Sequence, residues 1–203
     1  MDYEAVSTRL LSAVLDRCGP DAAEWLSTAA RRRDFELSGA FAAVSRRVGR
    51  IPLGLSATEA EFLGHAGLSW PTQAWGVDDA ARAALLVSRV ARLSDPRAVS
   101  LVEDLYRLGD SRERSALARA LPLLRRPAQY LGLAREAARS ELPPVFFAIA
   151  CDNPYPSRHF PEEALHQLTL RVEALGLPKS RVLGVERRRA LGFEALVGGG
   201  AAR

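Results

Sequence analysis

Apolar residues recur along this chain every three or four positions, and alternating β-branched runs are absent. That period belongs to amphipathic helices. Residues 3–17 put Val6, Leu10, Leu11, Val14 and Leu15 on one stripe, which Gly19-Pro20 ends. Asp21 to Arg33 reads as a second helix with Trp25 and Leu26 facing in, and Leu37 to Arg47 as a third, ended by Gly49. Residues 50–56 form a loop, Thr58 to His65 a short helix, and Gly67 to Gly76 a loop carrying Trp70, Pro71 and Trp75. Asp78 or Asp79 is expected to cap a long helix running to Leu93.

Further starts follow at 96, 111, 127 and 143, fifteen or sixteen residues apart, three of them marked by Pro. Pro suits a first helical turn because that N–H has no helical partner. Two such helices make a unit on the scale of helical-hairpin repeats. The last helices are expected at 161–175 and 180–196, with a disordered tail over 198–203. The expected fold is all-α: one domain over 1–197, with roughly ten helices packed as antiparallel hairpins in a helical-repeat-like way.

Composition agrees. At 48% hydrophobic residues in 203, the chain can bury one sizeable core. Lys179 is the only lysine, so a Schiff-base or P-loop lysine has one candidate, in a polar turn. The net charge is +4, and residues 31–50 already supply it: Arg31, Arg32, Arg33, Arg46, Arg47 and Arg50 stand against Asp34 and Glu36. Such a patch can face phosphates or an acidic partner, or be a solvated helix end. Nucleic acid is not expected, because the excess is small, local and without aromatic stacking partners. Cys18 and Cys151 form no CxxC pair, which suggests reduced thiols in the cytoplasm. No run approaches the ~20 apolar residues of a membrane span.

The nucleotide-binding, zinc-protease, nucleophile-elbow and calcium-loop motifs are absent. No metal or other cofactor is expected. His65, His159 and His166 lack paired-ligand spacing, although Asp152, His159 and His166 were conceivable ligands. Cys151 beside His159 can be a thiolate or, more simply, core.

One stretch stands apart. The apolar run Val145 to Ala150 ends in Asp152-Asn153-Pro154-Tyr155-Pro156, followed by Arg158, His159 and Pro161-Glu162-Glu163. The prolines stiffen this turn. Asp152 and Asn153 can cap a helix end or make an Asx-turn. Alternatively Asp152 and His159 can act as base and orienter, with Arg158 gripping a carboxylate or phosphate. Glu162 and Glu163 suit a helix start, and Glu162 is expected to pair with His166 one turn on. The turn is expected to pack against the helices at 127–139 and 161–175. Trp70 and Trp75 read as core anchors, or as an exposed aromatic contact.

The segment DNPYPSRHFPEEA resembles the signature of EboA-type proteins. Residues 46–55, RRVGRIPLGL, look like the family's basic loop, and ALPLL at 120–124 with Arg126-Pro127 looks like its central junction. The likeness runs from about residue 10 to 190. His166 stands where the family usually has Asn, and Glu186 where Asp is usual. The resemblance implies a non-catalytic helical adaptor or metabolite-binding component of an ebo-type pathway. Such pathways make or traffic a specialised cyclitol- or prenyl-linked metabolite. The partners implied are other ebo-cluster proteins or that metabolite. The alternative is a small enzyme acting at Asp152, Arg158, His159 and Glu162. Candidate binding residues are Asp152, Asn153, Tyr155, Arg158, His159, Glu162 and His166 in the turn, and Arg46, Arg47 and Arg50 in the loop.

Overall fold

In a computed structural model the chain describes residues 1–31 and 34–188, the side chains of 34–36 excepted. Arg32, Arg33, the end of the last expected helix and the expected tail lie outside those residues. Among the described residues there are eleven α-helices and no strand.

The first half contains α1 (Tyr3–Leu15), α2 (Pro20–Ala29), α3 (Asp34–Val48), α4 (Ala57–Ala66) and α5 (Val77–Val90). The second contains α6 (Asp95–Leu108), α7 (Ser111–Ala120), α8 (Leu131–Arg139), α9 (Pro143–Ala150), α10 (Tyr155–His159) and α11 (Glu162–Ala174). Short 3-10 turns follow α7 (Leu121–Leu123), precede α8 (Pro127–Tyr130) and come after α11 (Lys179–Arg181). Successive helices pair as α2 with α3, α6 with α7 and α8 with α9. The odd-numbered helices α3, α5, α7, α9 and α11 each touch the next, forming a row through the molecule. This is the repeat-like packing that the even spacing of helix starts suggested.

The centre of that row is α5. Eleven of its residues are buried, among them Ala80, Ala81, Ala83 and Ala84. Side chains that small let α1, α3 and α7 approach closely. Two charged residues are buried with them. Asp78 accepts from Ser45 Oγ at 2.7 Å and from Arg82 Nη1 at 3.2 Å, while Arg82 Nε donates to the Phe41 carbonyl at 3.0 Å. A buried charge is tolerated when it is paired and hydrogen-bonded, and these bonds tie α5 to α3.

Local sequence accounts for most helix ends. Asp110 caps α7, accepting from the N–H groups of Arg112 and Glu113, and Glu113 returns a bond to the Asp110 N–H. Pro20, Pro96 and Pro143 stand in first turns. Two expectations fail. The cap of α5 is Gly76, not an aspartate: Asp79 is the third helical residue and accepts from Gly76 N at 2.9 Å. The segment after Pro154 is not open turn but the short α10, because Pro154 and Pro156 occupy its cap and first turn, where no helical N–H is needed.

Candidate functional site

The signature turn is built inward. Asp152 adopts φ +55°, a left-handed geometry that Asp tolerates better than most residues. The extended backbone of Cys151 before it turns the Asp152 N–H away from α9 to the Arg181 carbonyl at 2.7 Å, and the Asp152 carboxylate takes Arg181 Nε at 3.1 Å and Nη2 as well. Asp152 therefore caps no helix; it anchors the chain that returns after α11. Asn153 is buried. Its Oδ1 accepts from Tyr155 N at 2.9 Å, an Asx-turn bond, and its Nδ2 donates to the carbonyls of Ala118 at 3.0 Å and Ala148 at 2.8 Å. Tyr155 is buried too; its hydroxyl donates to the Pro127 carbonyl at 2.6 Å, and burial pushes its pKa up. The partners of the turn are thus the ends of α7 and α9 and the Pro127 turn.

The remaining turn candidates point elsewhere. His159 packs on the Tyr155 ring with centroids 4.6 Å apart, and burial with the nearby Arg158 lowers its pKa. Arg158 is exposed and lies over the Trp70 ring. Glu162 pairs with Arg188 at 3.2 Å, not with the expected His166, which is exposed. Asp152, His159 and His166 form no metal-binding group; among the described residues no three His, Cys, Asp or Glu side chains do. Cys151 is buried and burial raises its pKa, which is the behaviour of a core thiol. Trp70 and Trp75 are buried, so they are no exposed aromatic contact.

The basic loop divides as well. Arg46 and Arg47 lie exposed in the last turn of α3, with Arg47 over the Trp25 ring. Arg50 lies past Gly49, beside chain that is held in place. Leu53 N donates to the Trp75 carbonyl and Val77 N to the Ile51 carbonyl, both at 2.9 Å, so residues 51–53 run antiparallel to 75–77. Behind this bridge opens a cleft of about 300 Å³. Arg50, Trp75, Gly76, Asp79, Arg112 and Arg119 are among its lining.

Three arginines line it, Arg50 from the first loop and Arg112 and Arg119 from α7. Arg119 Nη1 bonds Asp79 Oδ1 at 3.1 Å, and both are largely covered. Burial raises the Asp79 pKa, and the Arg119 charge works against that rise. Arg112 is half-exposed, its Nε 3.6 Å from Asp78 Oδ2. Among the described residues no carboxylate pairs with Arg50. A smaller cavity of about 30 Å³ adjoins, sharing Ala74, Trp75 and Arg119 and reaching Asp152, Asn153 and Arg181. Arg119 therefore stands between the cleft and the signature turn. Sequence reasoning found Arg50 but missed Arg112 and Arg119. Their only signal was i, i+7 spacing on one helix, which places two side chains on one face.

These observations define the class: a protein helical throughout its described residues, whose helix row carries an arginine-lined cleft. Residues 9–196 match the family described as metabolite traffic protein EboA, and the chain belongs to that family. No curated protein and no solved structure matches the chain. Among the described residues no helix is long and apolar enough to cross a membrane.

Proposed function

We propose that this chain is a non-catalytic, metabolite-binding component of metabolite traffic, and that it holds an anionic small molecule in the Arg50–Arg112–Arg119 cleft. The observation that carries the reading is that three arginines, from the first loop and both halves of α7, line one cavity of about 300 Å³. That volume is at the lower end of small-molecule sites, about 300–1,000 Å³. The family's description supports a traffic role. The signature turn then serves the cleft indirectly, since Asn153 bonds the carbonyl of Ala118, the residue before Arg119.

Of the two metabolite classes the resemblance implies, the cyclitol type suits this cleft better. Gln73 and the arginines line it, and they can hydrogen-bond hydroxyls and oxyanions. A prenyl tail needs a longer apolar channel than Trp75, Pro52 and Pro144 supply. The protein works in the cytoplasm, beside other proteins of its cluster. Native mass spectrometry of protein purified from its own cells tests the proposal. The expected result is a co-purifying small molecule that the Arg50→Glu/Arg112→Glu variant loses while staying folded. A molecule retained by that variant rules the cleft out.

A further inference from the structure

We infer that the ligand of this cleft presents a phosphate monoester to Arg50 and Arg112. The inference rests on the cleft being the ligand site and adds the chemical class of what enters it.

The charges in and beneath the cleft decide the sign and the size. Four guanidiniums, Arg50, Arg82, Arg112 and Arg119, face two carboxylates, Asp78 and Asp79. Arg82 is spent on buried Asp78 and Arg119 on Asp79. The net is two positive charges, on Arg50, which no carboxylate pairs among the described residues, and on half-exposed Arg112, whose Nε shares Asp78 with Arg82. A ligand carrying two negative charges balances them. A phosphate monoester carries about −1.5 to −2 at neutral pH on three acceptor oxygens.

The placement of the charges favours one dianionic centre over two separate carboxylates. A dicarboxylate needs a second cationic seat deeper in the cleft. Of the arginines lining the cleft, Arg119 is the covered one, and it is already bonded to Asp79, while Arg82 beneath is bonded to Asp78. At the rim, Arg112 uses Nε towards Asp78 at 3.6 Å, which leaves its two terminal nitrogens for the ligand. Arg suits phosphate because its planar fork offers two parallel donors. The body of the molecule then extends past Gln73 and Ser115 towards Trp75.

Calorimetric titration with three probes at pH 7.5 tests this: glycerol 3-phosphate, succinate and glycerol. Wild-type protein should bind glycerol 3-phosphate at least tenfold more tightly than succinate, and glycerol should give no measurable binding. Arg50→Gln and Arg112→Gln should each weaken glycerol 3-phosphate at least tenfold with an unchanged melting temperature. Arg139→Gln, an exposed arginine of α8 outside the cleft, should change nothing and so controls for general charge. Succinate binding as tightly as the phosphate ester, or no binding of the phosphate ester at all, overturns the inference. So does equal loss in the Arg139 variant. The outcomes separate the two proposals: if the phosphate probe fails while a co-purified molecule is still lost on Arg50→Glu/Arg112→Glu, the cleft stands and only the ligand class falls.

Discussion

Asn153 gives the Ala118 carbonyl the hydrogen bond that Pro122 cannot. In an α-helix that carbonyl would accept from the N–H four residues on, and residue 122 is a proline without one. The same amide reaches Ala148, whose partner four residues on would be Asp152; the Asp152 N–H is instead spent on Arg181. One buried side chain thus satisfies orphan carbonyls at the ends of two helices. Asn153→Ala should therefore destabilise the protein by about 2–4 kcal/mol, since each buried carbonyl left unpaired costs about 1–3 kcal/mol. Urea unfolding measures it, and a loss under 1 kcal/mol contradicts this account.

Gly76 is required for space and not for backbone freedom. Its φ of −86° suits any residue, but a Cβ there would lie 2.5 Å from Asp78 Oδ1. Gly76→Ala should push Asp78 off Ser45 and Arg82 and cost up to about 3–5 kcal/mol, the range for breaking a buried charge pair. Thermal melting of Gly76→Ala beside Gly19→Ala, a helix-cap glycine with nothing near its Cβ position, separates the clash from loss of a glycine.

At Asp152 two effects oppose each other. Removing the carboxylate breaks a partly exposed ion pair with Arg181, worth about 0.5–1 kcal/mol. Removing the side chain altogether relieves the φ of +55°. Asp152→Gly should accordingly melt closer to wild type than Asp152→Ala. The reverse order would show that the carboxylate matters beyond its bond to Arg181.

Arg17 holds Glu59 between α1 and α4 with two bonds, at 2.7 and 2.8 Å, and this hydrogen bonding lowers the Glu59 pKa to about 2. An unfolded Glu titrates near about 4.3. The folded pKa is the depressed one, so the pair's contribution is complete above the unfolded pKa and fades as pH falls from about 4.3 towards 2. The stability difference between wild type and Glu59→Gln should be largest above pH 5 and shrink across that window. Chemical denaturation at pH 6, 4 and 2.5 checks it; a difference that stays constant removes the ion pair as its source.

The helices were legible where one residue type announces one local event. Asp110 before Ser111, and the prolines at 96 and 143 in first turns, mark starts that the structure keeps. The start of α5 was misplaced because Asp78 and Asp79 look like caps. Asp79 does take the Gly76 N–H, but from the third helical position, and the further partners of the two, Ser45, Arg82 and Arg119, lie on other turns or other helices. The same limit hid the cleft. Arg50 drew notice through its basic loop, whereas Arg112 and Arg119 look like ordinary surface charge until α7 is packed on α5. The turn at Asp152–Tyr155 was conspicuous for its composition, but the work of Asn153 depends on a missing N–H at Pro122, thirty-one positions earlier.

The antiparallel bridge between Pro52 and Gly76 also makes the segment it encloses an insulated excursion. Chain leaves the cleft wall at Leu53, forms α4 and returns at Trp75 to a neighbouring point, so the wall is closed whatever length lies between. An insertion in the exposed chain before α4 would lengthen a loop whose closure cost grows only with the logarithm of its size. It would not shift Arg50 against Trp75. The bridge thus separates what can vary in length from what must keep its geometry.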